Sequence, residues 1–569
     1  MHFIDIGVII IYLIGITLLG IKIGKRIKAS SDFFMPRRFG KSMMMMHAFG
    51  TGTASDQAVI VSSASFKNGL SGIWFQWLWL FCTPFYWIIA PIFRRLRAIT
   101  TADVYALRFG SSVAVLFSII GVIGLSLKIG LMLKGAGALI DAGTAGSISS
   151  DLAIPVVALL FVIYGAAGGM SAAIITDYIQ GILTIVFSFI LLPFVLNAVG
   201  GIDGVRELVN DPAKMSLVAP DKIGVFFIIA FGVNSLFLIV SQPFIMGVCS
   251  AGRTEMDGRF GFVAGNLIKR ICTAAWSITG LAALAYFIKE GTAISGIDPD
   301  RVYGQMAKEF LPGIMPGLLG LFIAALLAGV MSSCDSFMIS SSALFTQNLY
   351  KPMRKGRTKA HYLKIARFAA VVIVGFGLVF AYSMDGVVSG LKSWLKFGAP
   401  LGIGFWIGLF WRRFNSSGVW VSTLTAYLCW WMTTQPFFVS LLKSFSFNEK
   451  LGVLRAVNGS NVVYEPWQIV FYLSSAIIAG IIASLLTAKP DEEKIKRYHD
   501  LISTPVREDE VILEPCTLPV GTLPHARKKW FANTNFEICA PSRMSYVGFL
   551  LSWLAVALMV FGFMCILKP

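Results

Sequence analysis

The sequence has few charged residues for its length. Only 14% of its 569 residues are Asp, Glu, Lys or Arg, whereas 56% are hydrophobic. Soluble proteins contain roughly 25% charged residues, and a water-soluble globule of this size could not cover its surface with so few. A disordered chain is excluded as well, because the apolar content is high. The composition therefore predicts a polytopic membrane protein.

Cysteine is scarce, and common enzyme signatures are absent from the sequence. Eight Cys occur in the whole chain, most of them inside apolar runs, and no two have CxxC spacing. This pattern indicates neither a disulfide framework nor redox chemistry. The five His residues form no HExxH motif, and no GxSxG elbow occurs. We therefore expect neither an enzyme nor an organic cofactor.

Fourteen apolar stretches are long enough to cross the ~30 Å hydrocarbon core of a bilayer. The first lacks the basic leader of a cleaved signal peptide, so we interpret it as a span. The fourteen stretches are 4–22, 43–66, 70–93, 112–140, 151–169, 171–199, 223–249, 262–288, 312–349, 364–386, 390–411, 416–441, 465–487 and 545–567.

The Lys and Arg residues that give the chain its net charge of +18 are concentrated in alternate loops. Of the 48 Lys and Arg residues, 33 fall in alternate loops beginning with 22–42, a count that includes Lys269 and Arg270. The positive-inside rule places these loops in the cytoplasm, and both termini then lie outside. We expect a multi-pass protein of the inner or plasma membrane. The excess of Lys and Arg therefore reflects the orientation of the chain in the membrane, and it predicts no nucleic acid partner.

Five ionisable residues are the clear cases within the hydrocarbon zone, where burial is costly and function is the usual reason for it. The alternative is mutual neutralisation by pairs that hold helices together. The five are Asp56, Lys128, Lys134, Asp177 and Asp335.

The second stretch contains a run of small and polar residues, Phe49-Gly-Thr-Gly-Thr-Ala-Ser-Asp-Gln57. Such a run is poor material for a continuous helix. Carbonyls freed by an interruption need partners, and a cation that prefers oxygen ligands is one. Close helix packing through small residues would explain the glycines, but not Asp56 and Gln57.

Two further stretches have a comparable polar character. Ser332, Asp335 and Ser336 stand at i, i+3 and i+4, on one helical face. Hydroxyls bonded to their own helix would be the ordinary explanation, yet it leaves Asp335 unexplained. The pair Gly168-Gly169 predicts a tight cytoplasmic turn, with Asp177 about two turns into the membrane.

At these three segments the sequence resembles the sodium:solute symporter family. The resemblance rests on Tyr-x-x-x-Gly-Gly-Met-x-Ala-x-x-x-Thr-Asp-x-x-Gln at 164–180 and on Met-Ser-Ser-x-Asp-Ser at 331–336. It extends over roughly residues 1–445. It implies an all-α, LeuT-type fold with about 14 transmembrane helices, in which spans 2–6 and 7–11 form two inverted five-helix repeats. The broken helix of the second repeat would be interrupted within 232–243.

The resemblance also divides the chain into six parts. They are a first peripheral helix with its cytoplasmic loop (1–42), the first repeat (43–199), the second repeat (223–412), peripheral helices (413–487), a cytoplasmic loop (488–544) and a last transmembrane helix (545–569). The loop 488–544 is too short for a core of its own, but it could hold a small helix at 491–501.

Site residues follow from the resemblance position by position. Sodium, the coupling ion, would be bound by the carbonyls of Gly50, Thr53 and Gly329 and the hydroxyls of Ser332 and Ser333. A second cation would use Asp177, Asp335 and Ser336. The small-molecule solute would contact Gly52, Ser55, Gln57, Gln76 and an aromatic gate, Phe237.

Lys134 is the basis of one further hypothesis. If its ammonium group faces the central cavity, the solute carries a carboxylate. If it instead pairs with Asp56 or extends outward along the apolar surface, the solute need carry no charge. Symport of a neutral sugar or amino acid therefore remains an alternative. A separate alternative is coupling to protons instead of sodium on the same fold.

Overall fold

The computed structural model describes residues 2–24, 34–51, 55–219, 223–457, 459–508, 510, 512, 514–525, 527–531 and 534–566. These residues are almost entirely helical. The first half contains α1 (Phe3–Gly24), α2 (Lys41–Gly50), α3 (Ser55–Asn68), short turns over 69–80, α4 (Thr83–Arg95), α5 (Thr101–Phe109), α6 (Ser111–Gly143), α7 (Ser150–Ile190), α8 (Leu192–Ala198) and α9 (Gly201–Val209).

The second half continues in the same way and adds one small hairpin. It contains α10 (Val225–Ser241), α11 (Pro243–Ser250), α12 (Glu255–Lys289), α13 (Val302–Phe310), α14 (Leu318–Ala343), α15 (Lys359–Ser383), α16 (Val387–Phe410), α17 (Ser416–Thr433), α18 (Pro436–Lys443), α19 (Phe447–Leu451), β1 (Leu454–Val457), β2 (Ser460–Val463), α20 (Glu465–Leu486), α21 (Glu492–Ser503) and α22 (Arg543–Ile566). The antiparallel hairpin of β1 and β2 is a minor departure from the predicted all-α fold.

Helices occupy all fourteen predicted stretches. Within the described ranges, nine helices are long and apolar enough to cross a membrane, or ten if the bent pair α10 and α11 is one span. The protein is therefore a multi-pass membrane protein. Exposed Leu, Ile, Val and Phe side chains cover the outer helices, as expected for surfaces that face lipid rather than water.

Local sequence explains where several helices begin and turn. Capping boxes start α5 and α12, where Thr100 pairs with Asp103 and Thr254 with Asp257. Each satisfies backbone N–H groups that a helix start leaves open. The chain turns within α7 at Gly169, whose φ of 56° and ψ of −165° only glycine adopts easily. The predicted glycine turn between the fifth and sixth stretches is confirmed.

Both predicted helix interruptions are present. α2 ends at Gly50 and α3 begins at Ser55, with Thr51 in an extended conformation between them (φ −63°, ψ 106°). α10 and α11 meet at Gln242, where the helix axes bend by 65°. The second interruption lies at the end of the predicted range 232–243.

The segment 488–544 packs onto one end of the helix bundle. α21 confirms the predicted small helix. Glu510 pairs with Arg94 at 3.3 Å and with Arg97 at 2.7 Å, and Arg412 pairs with Glu537 at 2.8 Å. The segment therefore contacts the end of α4 and the end of α16.

Candidate functional site

The interrupted helix α2–α3 brings the predicted ion ligands together. Ser333 of α14 donates a hydrogen bond from its Oγ to the carbonyl of Gly50 at 2.9 Å. Ser332 donates to the Asp177 carboxylate. A Cβ built on Gly50 would lie 3.1 Å from Ser332 Oγ and 3.3 Å from Asp177 Cβ. Four predicted residues from three helices thus meet at the end of α2, and all are buried.

The remaining predicted ion ligands are placed differently. Gly329 is buried one turn before Ser333 in α14, and Thr53 lies outside the described residues. Ser336 contacts Thr51, with 3.4 Å between the hydroxyl oxygens. Asp335 lies against Gly165, where an added Cβ would collide with its carboxylate. The structure therefore places Asp177 with Ser332, while Asp335 and Ser336 each have another neighbour.

Sequence reasoning missed His47, which is fully buried beside this cluster. Its Nδ1 lies 2.6 Å from Asp177 Oδ2 and 3.3 Å from the Thr51 hydroxyl. The only sequence signal was its position one helical turn before Gly50, because residues at i and i+3 of a helix share a face. The carboxylate of Asp177 is thus held from both sides, by a serine and by an imidazole.

A central cavity opens beside the same helix break. Its volume in this conformation is about 50 Å³. Gln57 and Gln76 line it as predicted. Gly52 and the side chain of Ser55 lie outside what the structure describes. The other polar lining groups are Thr51, Tyr86, Lys128, Gln242, Asn266, Lys269 and Arg270.

Phe237 and Lys134 do not line this cavity. Both are half-buried, and the carbonyl of Phe237 packs on Gly402 of α16. The aromatic lining comes instead from Trp79, Phe244 and other rings. The bend at Gln242 separates Phe237 from Phe244, so the face that reaches the cavity changes across the bend.

Lys128 and two basic residues of α12 project into this region. Lys128 pairs with Asp56 at 2.8 Å, which is the mutual neutralisation considered from the sequence, with Lys128 rather than Lys134 as the partner. Lys269 and Arg270 lie about four turns into α12. Their assignment to a cytoplasmic loop was wrong, because the capping box at Thr254 starts the helix well before them. The remaining Lys and Arg residues keep the same loop bias.

Comparison with known proteins identifies the family and the fold of this chain. The sequence profile of the sodium:solute symporter family matches residues 33–426. The osmoregulated proline transporter OpuE of Bacillus subtilis is 25% identical over 86% of this chain and 96% of its own. The sodium/pantothenate symporter of Escherichia coli is 24% identical over 68% and 81%. Sheep sodium/glucose cotransporter 1 is 22% identical over 74% and 70%.

One solved structure shares the fold. A Na+-coupled sialic acid symporter in a substrate-bound outward-open state superimposes with a TM-score of 0.70 at 19% identity, over 86% of this chain and 99% of that one. Fold and profile together define a multi-pass membrane transporter. The chain belongs to the sodium:solute symporter family, and it is accordingly a transporter and not an enzyme.

Proposed function

We propose that the protein imports a small organic solute together with sodium by alternating access. The observation that carries this proposal is the meeting of α2 and α14 at one point, where Ser333 bonds the Gly50 carbonyl beside Ser332 and Asp177. Carbonyl, hydroxyl and carboxylate oxygens are the ligands that hard cations prefer. The C-terminal end of a helix, here Gly50, also carries partial negative charge that favours a cation.

Sodium bound here would join the interrupted helix to α14. A ligand shifts a conformational equilibrium only through its preference for one state. Ligands from two helices give sodium such a preference, because they keep their spacing in only some conformations. The membrane potential then supplies about 2.3 kcal/mol per charge per 100 mV.

The finer architecture is part of the proposal. We infer fourteen spans, arranged as two inverted five-helix repeats over 43–199 and 223–412 within the six parts derived from the sequence. The two interruptions, at 51 and at Gln242, support it because each falls in the first span of a repeat. Broken helices of this kind surround the solute site in such carriers.

Asp177 is the residue on which the ion stoichiometry depends. With Ser332 it supports a second cation adjoining the first. Proton coupling is the alternative, because the same carboxylate lies 2.6 Å from the His47 imidazole. Replacing sodium by choline at constant pH distinguishes the two modes of coupling. Uptake that persists in choline would exclude sodium as the coupling ion.

The decisive experiment compares two serines of α14 by sodium-dependent thermal stabilisation. Ser333→Ala removes the hydroxyl at Gly50, so the sodium concentration for half-maximal stabilisation should rise at least tenfold. Ser342→Ala is the matched control, since Ser342 is buried in the same helix but donates only to Ile339 at 2.9 Å. Equal sodium responses of the two variants and the wild type would contradict the proposed ion site.

The Lys134 hypothesis loses its structural support. Lys134 is half-buried and is not among the residues that line the cavity. A carboxylate on the solute therefore needs another cation, and a neutral sugar or amino acid remains the alternative.

A further inference from the structure

The central cavity contains an excess of positive charge. Three basic side chains line it, and no acidic one among the described residues does. Asp56 neutralises Lys128 at 2.8 Å. Lys269 and Arg270 have no carboxylate of the described chain within 4.0 Å of their nitrogens. They are 4% and 3% exposed, so water compensates little of their charge.

Lys269 is fixed at the helix break. Its Nζ donates to the carbonyl of Thr51 at 3.1 Å and to that of Ala48 at 3.4 Å. These carbonyls belong to the last turn of α2 and to the extended residue that follows it. An ammonium group has three N–H donors. Two are used here, and the third is left for a group in the cavity.

Arg270 is held next to it with part of its guanidinium unused. Its Nη1 donates to the carbonyl of Gln76 at 2.7 Å and to the Gln76 Oε1 at 3.1 Å. Its buried Nε has no hydrogen-bond partner among the described residues. Gln76 is also a cavity residue, so it positions the guanidinium at the cavity wall.

A buried charge is costly unless it is paired and hydrogen-bonded. Two adjacent basic side chains with unused donors at the wall of one cavity therefore favour an anionic occupant. A carboxylate accepts bonds from an ammonium and from a guanidinium edge at once, and such charge-assisted bonds are stronger than neutral ones.

We propose that the transported solute is an organic anion whose carboxylate is bound by Lys269 and Arg270. This rests on the proposed symport function and assigns its substrate class. The anion would complete the link between α12 and the interrupted end of α2, because Lys269 already contacts that end. Solute binding and sodium binding would then act on the same helix break from two sides.

The test uses the full-length protein in lipid nanodiscs at fixed pH, with thermal stabilisation as the readout. The probes are acetate, lactate, pyroglutamate and glucuronate, each compared with its uncharged amide, in sodium and in choline. At least one acid should stabilise the protein tenfold more effectively, by concentration, than its amide. The proposal is overturned if no acid exceeds its amide, and this comparison requires no variant to fold.

Substitutions of single lysines test whether Lys269 binds the acid. Lys269→Met should weaken binding of the stabilising acid by about tenfold to a hundredfold, the effect of losing one bond to a charged group. Lys269→Arg, which keeps the charge, should lose less. Lys134→Met is the matched control, because it removes a membrane lysine that does not line the cavity. The affinity of this variant for the acid should be unchanged. Unchanged affinity in Lys269→Met would overturn the assignment.

The same measurements separate this inference from the proposed coupling. Stabilisation by sodium alone, lost in Ser333→Ala, tests the ion site whatever the solute. If sodium stabilises and no acid does, only the anion inference fails. An acid that stabilises equally in sodium and in choline would support the anion site and contradict sodium coupling.

Discussion

Replacing Glu510 by Gln should loosen the segment 488–544 from the helix bundle. One carboxylate oxygen of Glu510 lies 3.3 Å from Arg94 Nη1, and the other lies 2.7 Å from Arg97 Nη2. The three side chains are at most 3% exposed. Gln keeps the shape and one acceptor oxygen but removes the charge shared by two buried arginines.

The expected loss of stability depends on the hydrogen bonds that Arg94 and Arg97 keep in the Glu510→Gln variant. Breaking a buried ion pair costs about 3–5 kcal/mol. Arg94 still donates to the carbonyls of Gly252 and Arg253, and Arg97 still donates to that of Pro505. We therefore expect the lower end, about 3 kcal/mol, which corresponds to roughly a hundredfold more frequent local opening.

Amide hydrogen exchange of residues 492–508 measures this opening directly. Glu508→Gln is the control two positions away, since Glu508 is 64% exposed and lies 4.0 Å from Arg253. Exposed pairs contribute little, so its exchange should accelerate no more than a few-fold. Similar exchange rates in the two variants would refute the assigned role of the buried carboxylate.

Two more predictions concern the ion site and the dependence on pH. Gly50→Ala puts a methyl group 3.1 Å from Ser332 Oγ, so the sodium concentration for half-maximal stabilisation should rise roughly tenfold. Gly375→Ala, with nothing within 4 Å of its Cβ, should leave it unchanged, and an equal shift in both would contradict the steric reasoning. Burial lowers the pKa of His499 in α21 to about 4, although Glu537 acts in the opposite direction. The folded state favours the neutral imidazole, so its stabilising contribution is complete above about pH 6.5 and is lost as the pH falls from there through 4. The thermal midpoint of the wild type should decline over this interval, and His499→Leu should flatten the decline; an identical pH profile would exclude His499 as the cause.

The first helix interruption could be predicted because it depends on local sequence: Gly50 and its small neighbours disfavour a helix in any context. The second, before Pro243, was expected within 232–243 only because of the resemblance. The contact between Ser332 and Asp177 is different. The two residues are 155 positions apart, and the resemblance assigned them to two separate cation sites, so their contact was not predicted.

The errors have equally specific causes. The charge count treated Lys269 and Arg270 as loop residues although they fall within the predicted stretch 262–288, and the helix that contains them begins at Glu255. Phe237 was proposed as the gate, but the 65° bend at Gln242 turns a different face of the chain to the cavity. His47 was not proposed as a site residue, since nothing in the sequence places it near Asp177.

The contact between α4 and α12 also involves the segment 488–544. Arg95 of α4 forms a bidentate pair with Glu255 of α12 at 2.7 Å, and Glu255 also accepts a bond from the Val506 backbone at 3.0 Å. Hydrogen bonds of this length are lost when their atoms part by about 1 Å. Separation of α4 from α12 would therefore break this pair and also release the backbone of the segment 488–544 at Val506, so a movement of the two helices would reach that segment directly.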